Sequence, residues 1–505
     1  MVALSLHSTI AIVGAGTMGA GIAQVAAQAG HSVLLMDQQL ATASTALQRL
    51  RQGLDRQVAR NRLSQTEATA ILSRITPTDQ LQSLAGCVLV IEAIIENIAA
   101  KQQVIEQLMD ICGPDCIYAS NTSSIPIAQI AAGLKYPGQV AGLHFFNPAQ
   151  VMKLVEVISQ TQTDSNLASK LKDTMQQWGK VAVFASDTPG FIVNRIARPF
   201  YAEALRMATE NLAEYAVLDQ IMRQGGGFRM GPFELMDLIG LDVNHAVTQL
   251  VTTGLSLPMF EISSLQQQFL DAGHLGKKTG RGFYDYADSS SPARSSVSVT
   301  PASVQVDMVI SADLGWLQPL AQRLLDSGHR TVSVVEQGFL QLAGVSITPH
   351  LGAPLPSHAG PTIALDLAFD YGLCKSLACQ RSDSCSKLQL KTVRDAFATI
   401  GIELVELPNQ PGLPVTRTLA MLANVAADAV QRQVCTVSDA DLAMRFGVNY
   451  PLGPLAWADQ VGLEWLLTTL NNLALHVDQN RYTPCDWIRQ LHQSGARFYD
   501  HYPDR

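Results

Sequence analysis

The chain has 505 residues, 15% of them charged and 47% hydrophobic, with a formal net charge of −8. That length exceeds a single core and calls for roughly two to four domains. The absence of any basic run excludes an electrostatic footprint for nucleic acid or an anionic membrane surface.

The opening "MVALSLHSTIAIVGAG" has no positive n-region and no small-residue cleavage site, so it reads as a first strand rather than a leader. From Thr9 to about Gln150, β-rich runs ("TIAIVG", "SVLLMD", "CVLVIEA", "CIYAS", "VAGLHF") alternate with helical segments, the pattern of a parallel, doubly wound sheet. From Ser186 to about residue 275 the apolar period becomes helical. "DSSSPARSSVSVTPAS" (288–303) cannot bury a core and reads as a linker. Beyond it short strands return ("VDMVIS", "TVSVVE", "TIALDLAF", "IELVELP"), followed by helices to the end.

This order is a duplication. "TPGFIVNR" (188–195) matches "QPGLPVTR" (410–417), and "MGPFELMDLIGLD" (230–242) matches "LGPLAWADQVGLE" (452–464). Pro189 to Pro411 and Gly231 to Gly453 both span 222 residues, one ungapped offset. Eight cysteines lie scattered without CxxC pairs, and Cys374, Cys379 and Cys385 have no nearby histidine and no zinc spacing. Reduced thiols, a cytoplasmic location and no metal are expected. No run approaches the roughly 20 apolar residues of a membrane helix.

The chemistry concentrates in the first half. In "GAGTMGAG", Gly14, Gly16 and Gly19 follow a strand and head a helix, with Thr17 and Met18 between them. Gly14 permits the tight turn, Gly16 the approach of a pyrophosphate, and Gly19 close helix packing, with the helix start facing the phosphates. Asp37 closes the second strand, where a carboxylate accepts both ribose hydroxyls and repels a 2′-phosphate. Gln38 and Gln39 follow it instead of an arginine, so NAD is favoured over NADP.

Oxidation of an alcohol by a nicotinamide cofactor requires a base at the substrate hydroxyl. "GLHFFNP" holds His144 at the end of an apolar strand, and Glu156 sits twelve residues on within "MKLVEVI". A carboxylate alone among apolar residues is costly, and pairing it with His144 accounts for both. "SNTSS" (120–124) adds small hydrogen-bonding groups at the same sheet edge, although such a run also serves as a plain cap or turn.

Together "GAGTMGAGIAQVAAQAGHSVLLMD", "EAIIEN", "SNTSS", "GLHFFNP", "MKLVEVI", "DTPGFIVNR", "MGPFELMDLIGLD" and "GKKTGRGFYDY" resemble the 3-hydroxyacyl-CoA dehydrogenase family over residues 8–286. The resemblance implies NAD-dependent oxidation of an (S)-3-hydroxyacyl-CoA, with His144 as base, Glu156 as its partner, and Ser123 and Asn194 on the reacting oxygens. It further implies cofactor contacts from Asp37, Glu96, Lys101, Ser123, Asn147 and either Lys277 or Lys278, with Lys278 the choice carried here. Arg56 and Arg60 in "GLDRQVAR" are candidates for the CoA phosphates, against their reading as solvated surface arginines.

The implied architecture is α/β. A Rossmann-type NAD-binding domain (1–185) and a helical C-terminal domain (186–287) come first. After the linker (288–303) a degenerate duplicate follows, with a reduced Rossmann-like domain (304–406) and a second helical domain (407–505). The second copy has Thr416 where the first has Asn194, no "HFFNP" or "SNTSS", and "ADLGWL" in place of the glycine loop, so one active site per chain is expected. The family's helical domains make homodimers, so the chain is either a homo-oligomer or an intramolecular pseudo-dimer. The reduced middle domain, "GVNYPLGPLAWAD" and "RYTPC" resemble members acting on 3-hydroxyadipyl-CoA in phenylacetate degradation, with 3-hydroxybutyryl-CoA as the alternative substrate. Two other readings compete. An NAD-binding scaffold has no use for His144, Glu156 and Asn194 together. Dehydrogenases of sugar nucleotides or free hydroxy acids often use a lysine base.

Overall fold

The computed structural model describes residues 3–287, 304–311, 314–335 and 340–500; the linker expected at 288–303 and the first two residues of "ADLGWL" lie outside this range. The chain forms two compact units, Met1–Arg195 with Ala429–Val448, and Ile196–Asp428 with Asn449–Arg505.

The first unit is built on eight strands: β1 (Thr9–Val13), β2 (Ser32–Met36), β3 (Ile75–Thr78), β4 (Leu89–Glu92), β5 (Ile117–Ser120), β6 (Val140–Phe145), β7 (Leu154–Ser159) and β8 (Val181–Ser186). Their order is β3-β2-β1-β4-β5-β6-β7-β8. All neighbours are parallel except β6 and β7. The order reverses between β1 and β4, so the ligand crevice of an open α/β sheet falls at their carboxyl ends. The helices are α1 (Thr17–Ala29), α2 (Leu40–Ala59), α3 (Gln65–Ser73), α4 (Ile98–Cys112), α5 (Ile127–Ala131), α6 (Ser165–Gln177) and α7 (Val193–Ile196). The strands read as near-continuous apolar runs because both faces are covered, and Ile10, Ile12, Leu35, Leu89, Ile91 and Leu143 are fully buried in one core with Ile22, Ala26 and Leu171.

In the second unit the first helical segment comprises α8 (Arg198–Thr209), α9 (Tyr215–Gln224), α10 (Pro232–Ile239), α11 (Leu241–Leu255) and α12 (Ser264–Asp271). A second sheet follows, with β9 (Asp307–Ser311), β10 (Arg330–Val335), β11 (Leu340–Leu342), β12 (Val345–Pro349), β13 (Thr362–Leu365), β14 (Ser376–Arg381) and β15 (Glu403–Glu406), in the order β10-β9-β11-β12-β13-β14-β15. Its helices are α13 (Gln318–Asp326) and α14 (Lys387–Thr399). The chain continues through α15 (Pro414–Gln431), α16 (Val437–Gly447), α17 (Pro454–Val461), α18 (Leu463–His476), α19 (Gln479–Tyr482) and α20 (Asp486–Ser494).

The duplication reaches further back than the helical motifs that revealed it. The starts of β6 and β13, β7 and β14, α6 and α14, β8 and β15, α9 and α16, α10 and α17, and α11 and α18 are each 222 residues apart (140 to 362, 154 to 376, and so on). The antiparallel step between β6 and β7 recurs between β13 and β14. The reduction lies earlier in the copy, where the three-residue β11, antiparallel to both neighbours, occupies the place that β4 holds in the first sheet.

The compact units cut across the two copies in a reciprocal way. In the first unit α16, from the second copy, packs on β7 and β8. Gly447 makes this approach close, since a Cβ there would stand 2.6 Å from Leu154 Cδ2 and 3.0 Å from Val193 Cγ2. In the second unit α9, the first-copy counterpart of α16, packs on β14. There Gln220 Nε2 donates to Glu403 Oε2 at 2.8 Å. Within that unit Arg417 of α15 ties the two helical segments together, donating to Glu203 at 2.9 Å and to both oxygens of Glu210 at 2.5 and 2.9 Å. Two further family motifs are structural: Asp219 accepts from Phe233 N, Glu234 N and the Tyr284 hydroxyl, and Asp237 accepts from Phe283 N, Tyr284 N and the Tyr286 hydroxyl.

Candidate active site

The glycine loop turns from β1 into α1. Gly14 has φ +100, and a Cβ on it would meet Ala93 O at 2.6 Å; a Cβ on Gly19 would stand 1.8 Å from Gly14 O. Around Gly16 nothing lies within 4 Å of such an atom, leaving the backbone open to a ligand. Thr17 opens α1 and is exposed, and Met18 packs against the core. Asp37 Oδ2 accepts from Ala15 N at 3.0 Å and Oδ1 from Gln39 N at 3.2 Å, fixing the carboxylate at the rim of a cleft of about 640 Å³ lined by Gly14, Gly16, Gln38, Ile94 and Ile95. Open backbone at Gly16 and a carboxylate at the strand end fit the pyrophosphate and adenosine ribose of NAD.

A buried charged network supports the next edge. Lys101, from α4, is 1% exposed and pairs with Glu92 at 2.7 Å and Glu96 at 3.2 Å. Glu92 also accepts from Ser120 Oγ at 2.7 Å and Ile94 N at 2.8 Å. Glu96 Oε1 gathers the "SNTSS" loop, accepting from Thr122 Oγ1, Ser123 N, Ser124 N and Ser124 Oγ at 2.6–3.1 Å. Burial opposes the charge of Glu96, but hydrogen bonds from Ser124, Thr122 and Lys101 outweigh it, and its carboxyl sits below the usual range. Glu96 and Lys101 thus shape the loop that presents Ser123, which is half-buried.

In the antiparallel β6–β7 ladder His144 stands directly opposite Glu156. His144 Nδ1 and Glu156 Oε2 are 2.5 Å apart, with the histidine 6% exposed and the glutamate fully buried. Glu156 Oε1 accepts from Ile192 N and Val193 N at 3.0 and 2.9 Å, so the carboxylate is oriented by the first turn of α7, which carries Asn194. Phe146 and Phe191 rings close around the imidazole at 4.5 and 5.8 Å. Asn121 Oδ1 accepts from Phe145 N at 2.8 Å, tying the end of β5 to the histidine strand. Asn147 is exposed just past β6, before a cis bond to Pro148.

Arg56 lines a groove of about 210 Å³ between α1 and α2, together with Arg49, Thr17 and Gln150; Arg60 caps the end of α2 and is exposed. Lys278 belongs to the second unit, where both Asp242 oxygens hold its Nζ at 2.5 and 2.6 Å, and Lys277 Nζ lies 5.5 Å from the Tyr286 ring centre. The structure therefore brings together His144, Glu156 and the α7 turn bearing Asn194, and separately the Gly14–Gly19 loop with Asp37. Within the second unit, Lys278 is paired with Asp242.

Sequence reasoning did not single out Glu92, although it ends an apolar strand just as Glu156 interrupts one. It also passed over Lys180, whose Nζ donates to Ala149 O and Met152 O and so pins the chain after Pro148. In the second copy Asp366 takes the register position of His144, and Ala378 that of Glu156. Asp366 accepts from Val415 N, Thr416 N and Leu367 N, capping α15 much as Glu156 caps α7. The register position of the base is thus held by a carboxylate, and the imidazole nearest to it, His350 just past β12, has Nε2 3.1 Å from Gln380 Oε1 rather than a glutamate partner.

Comparison with known proteins agrees with this geometry. Residues 9–188 match the 3-hydroxyacyl-CoA dehydrogenase NAD binding domain, and 190–286 and 412–497 both match its C-terminal domain. Residues 355–411 match the 3-hydroxybutyryl-CoA dehydrogenase reduced Rossmann-fold domain. The 3-hydroxyadipyl-CoA dehydrogenase of Escherichia coli (strain K12) is 38% identical over 490 residues, 96% of this chain and 98% of that protein. A crystal structure of 3-hydroxybutyryl-CoA dehydrogenase from Escherichia coli K12 is 37% identical, with a TM-score of 0.83 over 97% of this chain and 100% of the other. A probable 3-hydroxybutyryl-CoA dehydrogenase of Bacillus subtilis (strain 168) is 40% identical over 282 residues, 56% of this chain and 98% of that protein. The chain belongs to the 3-hydroxyacyl-CoA dehydrogenase family. It is an NAD-dependent oxidoreductase acting on CoA thioesters, and among its described residues no helix is long and apolar enough to cross a membrane.

Proposed function

We propose that this chain oxidises (S)-3-hydroxyadipyl-CoA to the 3-oxo thioester at one active site per chain, with His144 as general base. The observation that carries the reading is the 2.5 Å pair of His144 Nδ1 and Glu156 Oε2. A carboxylate on Nδ1 fixes the tautomer in which Nε2 is unprotonated and directed to the substrate, and it stabilises the imidazolium formed on taking the hydroxyl proton. Glu156 keeps its orientation because Ile192 N and Val193 N hold its other oxygen. Asn194 and Ser123 hold the reacting oxygens, and the two phenylalanine rings exclude water from the imidazole. NAD held by the Gly14–Gly19 loop and Asp37 would supply the acceptor for the hydride that leaves C3.

Asp37, the Gly14–Gly19 loop with Thr17 and Met18, and Asn147 hold NAD, while Glu96 and Lys101 act on it through the "SNTSS" loop. Arg56, with Arg49 beside it, is favoured over Arg60 for the CoA phosphates because it lines a groove. We keep the order of two Rossmann-type and two helical domains, and read the second copy as an in-chain replacement for a partner subunit. The reciprocal packing of α16 on β7 and β8, and of α9 on β14, supports this pseudo-dimer. Eight free cysteines support a reducing, cytoplasmic setting.

The adipyl substrate is favoured because the E. coli relative that carries both copies bears that name, while 3-hydroxybutyryl-CoA is the alternative because the matching solved structure bears the other. NADH formation measured with both thioesters decides between them by kcat/KM. A clear preference for the butyryl thioester overturns the adipyl assignment.

A further inference from the structure

A separate cavity of about 180 Å³ lies wholly within the second unit, among α8, α11, α12 and α19. Arg198, Arg206, Arg481 and Asn244 line it, together with the carboxylates of Glu210 and Glu261. Arg198 is 6% exposed; its Nη1 donates to Asn244 O at 3.3 Å and Thr248 Oγ1 at 3.2 Å, and the guanidinium lies 4.8 Å from the Tyr201 ring centre.

The carboxylates present are already engaged. Glu210 is held by both terminal nitrogens of Arg417, and Glu203, behind the wall, takes Arg206 Nη1 at 2.5 Å. Glu261 pairs with Arg481, and Asp478 lies 3.7 Å from Arg481 Nη1. Three buried donors still lack an acceptor among the described residues: Arg206 Nη2, Arg481 Nε and Asn244 Nδ2. Asn244 is 2% exposed, and its orientation is fixed because Oδ1 accepts from Gln266 Nε2 at 3.0 Å, which leaves Nδ2 as the loose end. Burial, together with the like charge of Arg206, depresses the Arg481 guanidinium. Buried N–H groups without acceptors are costly, and guanidinium groups supply planar forks that match an oxyanion.

We propose that this cavity binds a carboxylate group, received by Arg206 Nη2, Arg481 Nε and Asn244 Nδ2, with Arg198 adding positive charge. Glu210 and Glu261 in the wall limit the site to a singly charged anion, which favours a carboxylate over a phosphate dianion. The carboxylate is that of a free small acid.

The test uses the full chain saturated with NAD, melted in sodium acetate and in sodium chloride at equal ionic strength. Acetate at a few times its Kd raises Tm by about 1–2 °C. Asn244→Asp, which supplies its own carboxylate, melts above wild type in chloride and loses the acetate response. If acetate behaves as chloride, or Asn244→Asp melts below wild type in chloride, the cavity is merely hydrated and the proposal falls.

Discussion

Replacing Glu156 by Gln separates the orientation of His144 from the presence of a side chain. The amide keeps nearly the same volume in a fully buried position, and its oxygen still accepts from Ile192 N and Val193 N, now at 3.0 and 2.9 Å from Oε1. Its Nε2, however, donates to His144 Nδ1, which must then accept, and the ring proton moves to the nitrogen meant to receive the substrate proton. General-base catalysis contributes about 10²- to 10⁴-fold, or roughly 3–5 kcal/mol at 1.36 kcal/mol per decade, and kcat should fall by that range. KM and NAD affinity change little, because the glycine loop and Asp37 are untouched. The loss of one charged hydrogen bond costs about 1.5–3 kcal/mol of stability, read by urea unfolding. The assay is steady-state NADH formation with the hydroxyacyl thioester, alongside NAD titration. A kcat within about threefold of wild type would refute the tautomer argument.

Gly19→Ala places a methyl 1.8 Å from Gly14 O, so the loop must open; NAD affinity should fall at least about tenfold and stability by about 1–3 kcal/mol, measured by titration and unfolding. Equal NAD affinity in this variant would mean that the loop geometry does not set binding. Calorimetric titration should give one NAD per chain, since the second copy has "ADLGWL" where the first has its glycine loop; two sites of similar affinity would contradict the single-site reading. Burial pushes the Asp366 carboxyl up to about 6, against about 3.9 in an unfolded chain. Between those values the folded state holds a proton that the unfolded state has released, so stability falls as pH rises through about 4–6. Relative to Asp366→Asn, wild type should therefore be about 1.4 kcal/mol more stable at pH 5 than at pH 7.5; parallel profiles would place the carboxyl at an ordinary value.

Local signals made the first sheet legible. Apolar runs, the strand-to-helix glycine loop and a strand-end Asp37 depend on neighbours in sequence, and His144 with Glu156 could be paired because each is anomalous alone. The family resemblance then supplied Asn194 and Ser123, which spacing did not. What escaped depends on contacts between distant segments: Glu92 beneath Lys101, Lys180 under the loop after Pro148, and α16 seated on β7 and β8. The offset of 222 was visible only where motifs survived, yet it holds in the backbone from β6 onward, because packing preserves strand and helix positions after the chemistry at Asp366 has changed. Lys278 was carried over by resemblance, and its partner Asp242 could not be inferred from spacing.

The most direct test is His144→Gln, which removes the base while leaving every NAD-contacting position in place. Purified variant and wild type are compared for NAD affinity and for kcat with the hydroxyacyl thioester. Unchanged affinity with kcat reduced about 10²- to 10⁴-fold is the expected result. Unchanged kcat would remove His144 from the reaction and with it the role assigned to Glu156.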